Sequence, residues 1–489
     1  MPANFSFPGV DEYIRFLPEI VLTVIATIIM FLDAVLAERS RRALAWLALA
    51  GLVLAAGAAI YAFQFPGAAF NNMIVVDGFA TFFRVLVIAV GFLTVLCSDQ
   101  YLYSERAGAG QYYSLLLFSI TGQCILASAN ELIMVFIGLE ISSIATYVLA
   151  GYLRDDRRNN EAALKYFLLG SFATAFLLYG IAWIYGTTGS TNLTNIRVAL
   201  LTPGSERNLI LAGTAAALMF VGFAFKVSAA PFQIWAPDVY QGAPAPVTLF
   251  MSAGPKAAAF AIFLRVFMTA FGPLATRWEP FVWGSALLTM IIGNFAALMQ
   301  TNIKRLLAYS SIAHAGYVLV AIAAHSEIGT AAAMFYLAAY ALMQVGAFAV
   351  VTYFVGQGER YTSVDDLAGL GYKQPMVAAM LTIFLLSLIG VPLTGGFFGK
   401  FYIFKAALDS NLVWLTIIGL LNSAVAAYYY LRIIVVMYMH ESGEAAATAP
   451  PLSPALGVAM WGSAIGTFVL GIFPSLLLEF ADRSATLVK

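Results

Sequence analysis

Three lysines stand deep inside apolar stretches: Lys226 in AALMFVGFAFKVSAAPF, Lys256 in LFMSAGPKAAAFAIF and Lys400 in PLTGGFFGKFYIF. Glu140, in LIMVFIGLEISSIATYVL, is enclosed in the same way. A charge at the centre of a membrane helix costs roughly 2.5–3.5 kcal/mol on insertion scales, so four cost on the order of 10 kcal/mol before any pairing. That equals the whole stability of an ordinary domain. Residues retained at such a cost point to charge movement through the membrane. A buried lysine alone tends toward its neutral form and a buried carboxylate toward its protonated form, whereas together both carry charge. Changing the distance between Glu140 and a lysine would switch their proton affinities. The competing reading is a static ion pair that locks two helices.

His314, in LLAYSSIAHAGYVLV, is the histidine placed mid-helix, with Tyr309, Ser310, Ser311 and Tyr317 near it in sequence. Imidazole can relay protons near neutral pH, and packing through hydrogen bonds is the ordinary alternative. Arg84, Arg265 and Arg432 also fall inside apolar segments. Arginine keeps its proton, so these read as structural pairs or field-tuning charges. Lys304 and Arg305 begin a helix, as a membrane anchor or as the place where protons come in.

The elements that must hold these groups follow from composition. The chain has 489 residues, 62% of them hydrophobic and 10% charged, against about 25% charged in soluble domains. It reads as an all-α polytopic membrane protein, one integral membrane domain over 1–489. The formal net charge is zero, which gives no sign of nucleic acid as a partner. Cys97 and Cys124 fit no metal or redox spacing. The sequence has no P-loop and no dinucleotide-binding glycine fingerprint. The N-terminal stretch lacks the basic region of a signal peptide, so the first helix is expected to stay.

A spanning helix needs about 20 apolar residues. That ruler gives about fourteen segments, near 17–36, 43–64, 73–97, 112–128, 130–152, 161–187, 209–235, 244–271, 280–300, 304–325, 328–355, 375–407, 411–440 and 453–480. An even number puts both termini on one side. With the termini outside, the inner loops and helix ends carry twelve Lys and Arg, among them Arg39, Arg41, Arg42, Arg154, Arg157 and Arg158. The outer segments carry seven, among them Arg15, Arg207, Arg277 and Lys489. The positive-inside rule favours that orientation.

Helix breakers stand beside two of the lysines. Pro231 follows Lys226 by five residues and leaves the Val227 carbonyl without its helical donor. Pro392, Gly395 and Gly396 precede Lys400, and Pro392 does the same to Leu388. Broken helices at the midplane of inverted repeats are a transporter plan. Segments four to eight (112–271) and nine to thirteen (280–440) are expected to be two inverted five-helix copies. Lys256 lies about twelve residues into its segment, roughly 18 Å, too deep to snorkel easily.

The stretch FAFKVSAAPFQIWAPDVYQGAPAPVTLFMSAGPKAAAF resembles the core of the antiporter-like membrane subunits of respiratory complex I, relatives of the large subunits of cation/proton antiporters. The DVYQGAPAPVT loop is similar to that of the subunit N branch, and IGLEISSIATYVLAGY, IKRLLAYSSIAHAGY and GVPLTGGFFGKFYIF match it in order. The resemblance covers essentially the whole length. It implies fourteen helices, a Glu140–Lys226 ion pair, Lys256 as central relay, His314 as a further member and Lys400 as the terminal group of the second half-channel. Lysine at the last place suits subunit N, where subunit M is expected to have glutamate. The absence of a long lateral amphipathic helix argues against subunit L. Further implications are a bacterial inner-membrane location and K-type and M-type membrane neighbours in the bilayer. NADH, FMN, iron–sulfur clusters and quinone are expected elsewhere in the complex, with no cofactor in this chain. The rival functions are a Na⁺/H⁺ antiporter subunit and a structural membrane subunit.

Overall fold

The computed structural model describes residues 8–36, 42–202, 206–443 and 451–486. Arg39, Arg41, Lys489 and the opening MPANFSF lie outside the described residues, as do the side chains of Arg42 and Arg207. In chain order the helices are α1 (Val10–Arg15), α2 (Leu17–Val35), α3 (Arg42–Ala62), α4 (Gly78–Ser104), α5 (Ala109–Ser128), α6 (Leu132–Ala150), α7 (Arg157–Thr188), α8 (Leu193–Leu201), α9 (Glu206–Val227) and α10 (Trp235–Gly242). They continue as α11 (Ala245–Arg265), α12 (Ala275–Leu298), α13 (Ile303–Ala323), α14 (Glu327–Phe354), α15 (Leu370–Lys373), α16 (Pro375–Ile389), α17 (Gly395–Asp409), α18 (Val413–Met439), α19 (Pro454–Ile472) and α20 (Ser475–Ser484). One antiparallel hairpin, β1 (Gly67–Ala69) with β2 (Ile74–Val76), joins α3 to α4.

Among the described residues, twelve helices are long and apolar enough to cross a membrane. Two of the expected segments fall short for different reasons. Helix α5 carries Gln111, Ser114, Ser119, Thr121, Gln123 and Ser128 within 20 residues, and its inner positions are enclosed by protein. The segment expected at 375–407 is two helices of 15 residues each. The segment expected at 73–97 begins later, because Ile74–Val76 is a strand and Asp77 caps α4 by accepting from Ala80 N–H at 2.7 Å. Glu131 caps α6 in the same manner, accepting from Ile133 N–H at 2.9 Å.

Burial is graded across the bundle. The apolar windows of α11, α13 and α14 are each 94% buried, against 28% for α2 and 39% for α7 and α18. The three buried helices carry Lys256 and His314, so these side chains sit in the protein interior and not against lipid. Small residues let the helices approach, since hydrocarbon supplies no hydrophobic drive between them. At Gly293 of α12 an added Cβ would lie 2.6 Å from the Ala313 nitrogen of α13.

Two of the three arginines inside segments are ion-paired, and the third meets a backbone carbonyl. Arg84 Nη2 lies 2.6 Å from Glu19 Oε1, joining α4 to α2 with both side chains fully buried. Arg265 grips Asp77 through two nitrogens at 2.8 and 2.9 Å. Arg432 Nη1 donates to the Gln300 carbonyl at 3.4 Å.

Candidate functional site

Lys226 is the penultimate residue of α9. The helix does not run to 235 as a kinked segment; it ends at Val227, four residues before the proline. Ser228 takes a left-handed φ of 61°. Its N–H donates to Phe225 O at 3.1 Å, and Ala229 N–H reaches back to Ala224 O at 2.7 Å. This is the bond pattern of a Schellman termination. The carbonyl that gains an outside donor is therefore Phe225, from Trp235 Nε1 at 2.9 Å, and not the expected Val227. Helix α12 holds the break: Thr289 Oγ1 accepts from Ala230 N–H at 2.8 Å and Ser285 donates to Ala230 O at 2.7 Å.

The Lys226 ammonium donates to Ser143 Oγ at 2.7 Å and Tyr147 Oη at 3.2 Å. It stands 5.2 and 5.6 Å from the ring centres of Tyr147 and Tyr166. The expected Glu140–Lys226 ion pair is not made. Glu140, Ser143 and Tyr147 follow one another along one face of α6, and Lys226 reaches that face beyond Glu140. Glu140 Oε1 is buried without a hydrogen-bond partner.

A cavity of about 20 Å³ lies between Ser143, Thr146 and Lys226 on one side and Pro255, the neighbour of Lys256, on the other. That is room for about one water. Lys256 Nζ donates to Ser311 O at 3.0 Å and Ser311 Oγ at 2.5 Å. Tyr340 Oη donates to the same hydroxyl at 2.8 Å. One turn along α13, His314 Nδ1 is 2.5 Å from Tyr336 Oη and Nε2 is 3.2 Å from Tyr430 Oη. Tyr430 also bonds Ser310. Donor and acceptor exchange with the histidine tautomer. A further turn along, the Tyr317 ring lies 5.6 Å from His314 and 4.8 Å beneath Lys400 Nζ.

Lys400 sits across the second break. Gly390, at φ 95°, ends α16. Lys400 Nζ donates to Leu388 O at 3.0 Å, Ile389 O at 2.8 Å and Ser423 Oγ at 2.7 Å. The carbonyl expected to lose its partner to Pro392 thus receives it from the lysine.

Lys304 is fully buried and is not a surface anchor. It pairs with Glu359 Oε2 at 2.6 Å and donates to Ala243 O at 2.5 Å. Glu359 Oε1 accepts from Tyr101 Oη at 2.9 Å and from Ala245 N–H at 2.7 Å. Glu359 borders a polar cavity of about 1050 Å³ shared with Arg154, Asp156 and Arg158. Arg305 and Lys165 both bind Asp238 of α10, at 2.6 and 2.7 Å.

Sequence reasoning missed Tyr147, Tyr336, Tyr340, Tyr430, Ser423 and Glu359. Hydroxyl side chains are common on buried helices and carry no local signal; they become a site only where distant segments converge. Among the described residues no three His, Cys, Asp or Glu side chains gather as metal ligands would.

Residues 129–426 match the family model described as NADH:quinone oxidoreductase/Mrp antiporter, transmembrane. The chain is 66% identical over 489 residues to NADH-quinone oxidoreductase subunit N 1 of Solibacter usitatus, with 100% of each chain covered. It superimposes on a chain of respiratory complex I from Thermus thermophilus with a TM-score of 0.81 and 34% identity, covering 95% of this chain and 99% of that one. A chain of the Mrp complex from Dietzia sp. shares the fold, with a TM-score of 0.82 at 21% identity over 96% and 98% of the two chains. The chain belongs to the NADH-quinone oxidoreductase subunit N family, the antiporter-like membrane subunits of respiratory complex I.

Proposed function

We propose that this chain translocates protons as a membrane subunit of a bacterial respiratory complex I, through Lys226, Lys256, His314 and Lys400. The observation that carries the reading is a row of polar groups: Lys226 at a water-sized cavity that reaches Pro255 beside Lys256, then Lys256 on Ser311, and His314, Tyr317 and Lys400 beyond. It begins and ends beside a broken helix. Each group is within reach of hydroxyl or carbonyl partners that can reorient, as proton transfer between lysines requires.

Glu140 is the switch. Here Lys226 rests on Ser143 and Tyr147 while Glu140 Oε1 has no partner. A shift of Lys226 back along α6 would close the ion pair, and the pairing decides which protonation state of each group is favoured. Moving a unit charge against 100 mV costs about 2.3 kcal/mol. That energy comes from electron transfer between NADH and quinone through FMN and iron–sulfur clusters in other subunits. K-type and M-type membrane subunits are the neighbours.

The finer architecture belongs to the same reading. Helix α5 and the α16–α17 pair complete fourteen spans with the twelve long helices. The broken elements α9–α10 and α16–α17 occupy corresponding places in inverted repeats over 112–271 and 280–440. Both termini face the periplasm, with the basic loops toward the cytoplasm.

The test is Lys226→Ala, Glu140→Ala and Lys256→Met in the assembled complex, with NADH-driven proton uptake, NADH:quinone turnover and assembly measured together. Loss of coupled activity in a fully assembled complex is expected. Normal pumping and turnover in assembled Lys226→Ala would overturn the relay.

A further inference from the structure

An apolar groove of about 720 Å³ runs between α9 and α12, and its floor is the break at Ala230, Pro231 and Phe232. Its wall on α12 extends from Arg277 to Leu288. Those eleven steps span roughly 16 Å along a helix. Half of a hydrocarbon core of about 30 Å is about 15 Å. The groove is therefore one leaflet deep, and it stops at the level of the break.

Its single charge lies at one end. Arg277 is exposed, in the first turn of α12, and no carboxylate of the described residues lies within ion-pair distance of it. The neighbouring Glu279 is used by His325, Nδ1 to Oε1 3.1 Å. A cation at a helix N-terminus opposes the helix dipole, so Arg277 does not serve α12 itself. Two wall positions are glycines that no helix contact requires. A Cβ on Gly284 would meet nothing within 4 Å, and one on Gly213 would meet only Arg277, at 3.9 Å.

Length and charge select the occupant. A spanning helix covers about 30 Å, twice the roughly 16 Å that the groove offers along α12, whereas one acyl chain occupies a single leaflet, with the exposed Arg277 at its headgroup end. We propose that it binds one anionic phospholipid, with the headgroup phosphate on Arg277 and an acyl chain lying along α9 and α12 to Pro231. The acyl end then covers the lipid side of the break that Ser285 and Thr289 hold from α12. This binding does not depend on the relay role of Lys226.

The experiment places the assembled complex in phosphatidylcholine nanodiscs doped with phosphatidylglycerol carrying a photoreactive acyl end, and maps the labelled peptides. A phosphatidylcholine version of the probe is the control. The expected result is labelling of the 220–232 stretch by the glycerol probe over the choline probe. It should persist in Arg277→Lys, fall about fivefold in Arg277→Gln and disappear in Gly284→Phe. Equal labelling by both probes, or labelling unchanged in Arg277→Gln, would overturn the proposal. So would a neighbouring subunit crosslinked in the groove in place of lipid. Should Gly284→Phe fail to assemble, the exposed Arg277→Gln decides.

Discussion

Lys400 closes the open end of the helix that precedes its own: Nζ lies 3.0 Å from the Leu388 oxygen and 2.8 Å from the Ile389 oxygen. The last carbonyls of any helix lack intrahelical donors and carry the negative end of the dipole. In a membrane interior no bulk water can serve them. Placing the lysine there makes the geometry of the α16–α17 break depend on a group that can exchange a proton. It follows that Lys400→Met should do more than remove a relay member. Leaving buried carbonyls unserved costs about 1–3 kcal/mol each, so the variant should melt earlier than wild type as well as lose coupled proton uptake. Ser423→Ala removes only the third contact of the lysine and should retain most thermal stability. A Lys400→Met complex with unchanged melting would show that the lysine does not hold the break.

The Glu19–Arg84 pair makes a separate stability prediction. Both side chains are fully buried at 2.6 Å, and Arg84 Nη2 also donates to Ser128 at 3.1 Å. Removing one partner of a buried pair typically costs about 3–5 kcal/mol, whereas replacing both with apolar groups can be nearly neutral. Glu19→Leu and Arg84→Met should each be strongly destabilising in denaturant unfolding, and the double substitution much less so. Additive losses in the double variant would mean that the two residues stabilise the fold independently.

Asp77 carries a pH signature. Burial works to raise its carboxyl, but the Arg265 guanidinium, its two hydrogen bonds and the Ala80 N–H together hold it below the usual range. A carboxyl lowered on folding adds stability above its unfolded value of about 3.9. That stability is lost as pH falls through the lower folded value. The advantage of wild type over Asp77→Asn in thermal unfolding should be full at neutral pH and shrink as the pH drops below about 4. An advantage independent of pH down to the acid limit would remove the ion pair as its cause.

The membrane class, the number of apolar segments to within two, the burial of Lys256 and Lys400 and the positions of both breaks were legible in the chain itself. Each rests on a local property. A lysine inside twenty apolar residues is visible without a fold, and a proline removes a helical donor wherever it stands. The start of α4 was harder to read, because Ile74–Val76 is as apolar as the helix it precedes and only the Asp77 cap separates them.

Partner choice was decided by the tertiary structure. In the sequence Glu140 is a counter-ion for one of the lysines, and the family resemblance makes that lysine Lys226. The fold ends α9 at Val227 and brings the lysine to Ser143 and Tyr147 instead. In the sequence Lys304 reads as an anchor or as a proton entry point; in the fold Glu359, 55 residues away, pairs with it at 2.6 Å. The tyrosines that hydrogen-bond His314, Tyr336 and Tyr430, come from α14 and α18, which no spacing rule connects. The energetic cost of burying a charge is a property of the residue and its immediate segment, so the sequence reveals it. The groups that offset that cost are those the packing of distant helices brings within about 3 Å, and only the folded chain selects them.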